Sequence, residues 1–178
     1  MNPLLEKSKT SLMASAQKLF ETREEQQGDD AAELMGALED AVLAGNKIMF
    51  DPKTHAHLEI VKNPASRKDP VSTVSKGITG LCWIMYMQSK QEIDPQVLIM
   101  AGFILINDAL DFVERGYGIK VDEQVLAETT KRFSEQIMEK LGITEEHLRE
   151  YQANGKVTDF GQPQQQNTDG ILSQPRSA

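Results

Sequence analysis

The chain has 178 residues, 39% of them hydrophobic and 26% charged, with a formal charge of −8. One modest domain with appendages fits that length, and the balance of residue types excludes wholesale disorder and a polytopic membrane protein. The acidic excess argues against bulk binding to nucleic acid, whose affinity comes largely from Lys and Arg neutralising phosphates, without excluding a local basic patch.

The single cysteine, Cys82, lies in the apolar run from Ile78 to Met87. It therefore has no intramolecular disulfide partner, cannot belong to a Cys-rich metal site, and reads as a small buried hydrophobe. At the N-terminus, Glu6, Lys7 and Lys9 interrupt the apolar residues. That pattern is unlike a secretory signal, so synthesis in the cytoplasm is expected. No stretch reaches the roughly 18 apolar residues of a conventional membrane span.

Taken in order, the segments read as helices. Leu5, Leu12, Met13, Ala16, Leu19 and Phe20 lie near helical spacing, giving an N-terminal amphipathic helix within residues 1–28 that runs from about 3 to 25 and ends near Gly28. The core region, 29–152, opens with a second helix over about 30–49, marked by Ala31, Leu34, Leu38, Val42 and Met49, with Gly45-Asn46 weakening its last turn. Three Asp-Pro pairs follow, Asp51-Pro52, Asp69-Pro70 and Asp94-Pro95. Asp accepts bonds from the free amides of a first turn and Pro is tolerated at the first helical position, so each pair predicts a helix start.

A short third helix is predicted from Pro52 to Lys62, a fourth over about 70–90, and a fifth from Asp94 to a C-cap near Gly116. Asp122 to Leu141 carries Val125, Leu126, Thr129, Phe133, Ile137 and Leu141 on one face, with Gly142 closing it. Thr144 caps a last short helix containing Leu148 and Tyr151, and the Gln/Pro-rich segment 153–178 reads as a tail disordered on its own. The expected fold class is all-α: a bundle of about six to seven helices around an apolar helical hairpin at 70–116.

That hairpin is the informative feature. Ten consecutive apolar residues, Val97 to Ile106, cover the whole circumference of a helix, whereas a surface helix needs only a stripe. Such a helix must be surrounded, either by the other helices of its own chain or by neighbouring subunits or lipid. The second alternative makes Trp83, Ile84, Met87, Val97, Leu98, Ile99, Phe103 and Ile104 an oligomer or membrane interface. A ten-residue helix spans only about 15 Å, half a bilayer core, so it cannot cross as it stands. Gly77, Gly80, Ala101 and Gly102 are small enough to let helices approach closely.

Catalytic patterns are lacking. Asn107 and Asp111 share a helical face with Asp108 to one side, an arrangement that serves as a polar contact at the end of a core helix or as an acid-base or metal pair. His55 and His57 diverge by about 200° on a helix, and His147 is remote, short of the three or four convergent ligands that zinc needs. No cofactor and no metal are expected. Lys53, Lys62, Arg67, Lys68 and Lys76, against Glu59 and Asp69, make the segment 53–76 locally basic. It is either a solvated loop or, at Lys62, Arg67, Lys68 and Lys76, a contact for DNA or anionic headgroups.

The succession GNKIMFDPKTH, a Pro-punctuated basic linker, TVSKGITGLCWIMYMQSK, IDPQVLIMAGFILINDALDFVERG and a charged helix ending in MEKLGIT resembles small helical virion proteins of tailed phages. The nearest similarity is to those of short-tailed phages of the Schitoviridae type. The resemblance covers about residues 30–145 and implies a structural protein, one of the internal proteins ejected with the genome that homo-oligomerise into part of a DNA-ejection conduit. Its implied partners are further copies of itself, other virion proteins, the host outer membrane and transiting DNA. The implied locations are the host cytoplasm for synthesis, then the virion, then the host envelope. A soluble helical adaptor or regulator without membrane contact is the alternative.

Overall fold

A computed structural model describes residues 2–51, 53 and 63–144. It is all-helical, with five α-helices and no strand among the described residues: α1 (Pro3–Gln27), α2 (Ala31–Phe50), α3 (Pro70–Gln88), α4 (Pro95–Tyr117) and α5 (Glu123–Leu141), with a 3-10 segment at Pro64–Lys68 before α3. The helix count is slightly below the expected six to seven. Both shortfalls, the helix predicted at 52–62 and the one after Thr144, lie, Lys53 apart, outside the described residues, as does the segment 153–178.

Local chemistry sets the boundaries. Asn2 caps α1 by accepting from the Leu4 amide at 2.9 Å, and Asp30 caps α2 through the Ala32 and Glu33 amides. Two of the Asp-Pro pairs act as predicted: Asp69 accepts from Ser72 at 3.0 Å and Asp94 from Gln96 at 2.8 Å. The fifth predicted helix runs past Gly116 and stops at Gly118, the residue whose φ of 67° lies in the left-handed region. Gly116 keeps helical geometry, so the cap belongs to the glycine that actually leaves it.

Gly45-Asn46 does not fray α2, which continues to Phe50. The reason is tertiary. A Cβ on Gly45 would stand 2.5 Å from Leu105 Cδ1, so the missing side chain lets α2 lie against α4. Likewise a Cβ on Gly102 would meet the Phe133 ring at 2.1 Å, which fixes the crossing of α4 and α5. Gly80, expected to do the same, has open space instead.

α4 is the central element, packed against α1, α2, α3 and α5. Val97, Ala101 and Ile104 pack with Ala16, Phe20, Leu38 and Ala41 on one side. Leu98, Leu105, Ile106 and Leu110 pack with Ile78, Cys82, Met85, Phe133 and Ile137 on the other. Two cores on opposite faces are the physical reason the helix is apolar all round. α1 is part of the same bundle, contributing buried Leu5, Ala16 and Phe20.

Candidate functional site

The residues predicted to form an intersubunit or membrane surface divide into two groups. Val97, Leu98 and Ile104 have no exposed surface, because α1, α2, α3 and α5 already enclose them. For these three the interface expectation is corrected: their cover comes from the same chain. Ile84, Ile99 and Phe103 are half-buried, and Phe103 sits edge-on to Phe133 at 5.6 Å. Trp83 is half-buried beside Tyr86, with the Lys140 ammonium over its ring at 5.4 Å. Met87 alone of the group is well exposed, at 47%. By length and composition α4 could cross a membrane, but 67% of its apolar window is buried in the bundle.

The polar end of α4 is a structural junction. Asp108 accepts from Lys9 Nζ at 2.7 Å and from Asn46 Nδ2 at 3.0 Å, joining α1, α2 and α4. Buried Asp111 accepts from the backbone N–H of Asn2 at 3.1 Å and pairs with Arg115. Asn2 also donates through Nδ2 to Glu114 at 2.8 Å and to the Val121 carbonyl at 3.2 Å. The carboxylates therefore face cations and amides that tie elements together. No group of three His, Cys, Asp or Glu able to hold a metal occurs among the described residues. His55, His57 and His147 lie outside the described residues.

At the opposite end of the bundle, Arg23 bonds Asp29 at 2.6 Å and Asp94 at 3.0 Å, linking α1 to the starts of α2 and α4. Burial disfavours its charge, but Asp94 and Asp29 outweigh that cost and hold its pKa above the ordinary value. The open cleft beside it, about 480 Å³, is lined by Asp30, Glu33, Glu92 and other carboxylates. Cys82 is fully enclosed, and burial pushes its thiol pKa up to about 12, which removes it as a nucleophile at neutral pH.

Of the basic segment, Arg67 lies over the Tyr117 ring at 4.2 Å, where it packs the 3-10 segment against the end of α4. Lys68 and Lys76 are exposed, and Lys62 lies outside the described residues. Lys76 borders a shallow groove between α3 and α5 with Thr79, Gly80, Gln136, Glu139 and Lys140, so a carboxylate accompanies the two ammonium groups and the groove is not uniformly basic.

What the sequence reading missed is the outer face of α2. Leu43 is 53% exposed and Phe50 38% exposed, the latter touching Phe112 edge-on at 5.5 Å. Both lie off the buried stripe of Leu38, Ala41, Gly45 and Met49. Large apolar residues outside the inward stripe are the signal that could have found this face. No family model, no curated protein and no solved structure matches the chain.

Proposed function

We propose that this is a non-enzymatic assembly protein, a small structural component of a tailed-phage virion that works by self-association and by binding other virion proteins. One observation carries the assembly reading: Leu43 and Phe50 stand exposed on a helix whose opposite face is already buried in the core. The virion assignment rests on the resemblance of residues 30–145 to small helical virion proteins.

Action at a host envelope would be a refolding reaction. Inserting the α3–α4 hairpin into lipid means withdrawing seven fully buried aliphatic residues of α4, Val97, Leu98, Ile104, Leu105, Ile106, Leu110 and Val113, from their partners. Each such side chain contributes roughly 1.5–3 kcal/mol by burial, so lipid must replace the protein cover that these residues lose. The second reading, a soluble adaptor without membrane contact, is favoured by that same enclosure of α4.

Mass in solution, with and without detergent, combined with dye release from liposomes, tests both. An oligomer in plain buffer supports assembly. Dye release adds the envelope step. A monomer at every concentration that leaves vesicles intact overturns the proposal in favour of the adaptor.

A further inference from the structure

We propose that the outer face of α2 docks on the same face of a second copy, the two helices running antiparallel about a two-fold axis at Leu43. The inference rests on the assembly reading and supplies its geometry.

Along α2, Gly36, Asp40, Leu43, Lys47 and Phe50 recur at spacings of three and four, so they lie along one side of the helix. All five are exposed, while Leu38, Ala41, Gly45 and Met49 occupy the buried side. A Cβ on Gly36 would meet nothing within 4 Å, so inside the subunit no close packing accounts for this glycine, which weakens a helix interior relative to alanine. No hydrogen bond or ion pair engages the side chains of Asp40 and Lys47 among the described residues.

The order of these residues is self-complementary. When two antiparallel copies cross at Leu43, Leu43 meets its own counterpart, and Lys47, four residues beyond the axis, faces exposed Glu39 and Asp40 of the other copy, four and three residues before it, the Asp40 pairing being staggered by about 1.5 Å along the helix. Phe50 stands opposite Gly36, a large side chain over an open notch. A two-fold contact requires each patch to complement itself, and this stripe does so in charge and in size at once. A parallel arrangement would instead place Asp40 beside Asp40 and Lys47 beside Lys47.

Sedimentation velocity on the full chain and on charge-reversal variants tests the interface. The wild type is expected to dimerise with rising concentration, and Leu43→Asp to stay monomeric with the melting temperature that the dilute, monomeric wild type shows. Asp40→Lys and Lys47→Asp are each expected to weaken the dimer by about tenfold or more, since each sets like charges opposite at two places. Combining both reversals restores the pairing and should return affinity to near the wild-type value, a rescue that damage to the fold could not produce. Gly36→Leu should block association while leaving α2 intact. An oligomer whose mass ignores Leu43→Asp and the charge reversals overturns this interface but leaves the assembly reading standing. A wild-type monomer overturns both.

Discussion

α4 and α2 make an instructive pair. α4 carries the longest apolar run in the chain and exposes almost none of it, whereas α2 is interrupted by Glu33, Glu39, Asp40 and Lys47 and yet presents Leu43 to solvent. The difference lies in the number of neighbours. α4 is packed by four helices, which leave only Ile99, Met100 and Phe103 of its apolar run half-buried. Among the described residues α2 packs on its inward side, Leu43 on the far side belongs to neither core, and Phe50 at the helix end meets the edge of Phe112. How apolar a helix is thus reports how many partners it has, while where its apolar residues fall relative to the inward stripe reports whether one is missing.

The same substitution in the two helices is the sharpest way to break this comparison. Ile104→Asp buries an unpaired charge among Phe20, Leu38 and Ala41, and it should cost upwards of about 4 kcal/mol or prevent folding, as read by chemical denaturation. A cooperative, wild-type-like unfolding transition for that variant would mean that α4 is not enclosed as described.

Cys82 offers a gentler probe of the same core. Its pKa is raised from 9.0 to about 12 by burial, so the folded state favours the neutral thiol. The stabilising contribution is complete below the unfolded pKa and is lost as pH climbs from about 9 toward 12, at roughly 1.4 kcal/mol per unit. Cys82→Ala should flatten that part of the stability curve, and wild-type protein should react with a thiol reagent at neutral pH only after denaturant is added.

Smaller still is the effect expected in the turn that joins α3 to α4, where Lys90 and Gln91 both hold positive φ, 55° and 68°. Left-handed backbone costs a residue with a Cβ roughly 1 kcal/mol, so Gln91→Gly should raise stability by up to about that amount in a urea titration. At the bottom of the scale stands Leu43→Asp. On an exposed position it should change the unfolding free energy of the subunit by less than about 0.5 kcal/mol, while Ile104→Asp cannot be tolerated.

The helices and their starts were legible because their causes are local. Asp69 and Asp94 before Pro, Gly28 and Gly142 after the last apolar residue, and the stripe Thr129, Phe133, Ile137 and Leu141 each act within a few residues of themselves. What surrounds Val97, Leu98 and Ile104 was not legible, since a periodic pattern gives the width of a buried face but never the identity of its cover. The bonds of Arg23 to Asp29 and Asp94, and of Lys9 to Asp108, were invisible for a related reason: they join residues far apart in sequence, and each side chain alone resembles any surface charge. The outer face of α2 was less legible because Leu43 and Phe50 are two apolar residues set among Glu39, Asp40 and Lys47, a far weaker pattern than the continuous run in α4.

α1 is fastened to the rest of the bundle at both of its ends, by Asn2 to Asp111, Glu114 and Val121 and by Arg23 to Asp94 and Gln96. A helix secured at one end can fray progressively from the other. A helix buckled at each extremity has no loose edge from which to peel, so its departure exposes Ala16, Phe20, Val97 and Ile104 together, and the subunit comes apart on that side as a single event.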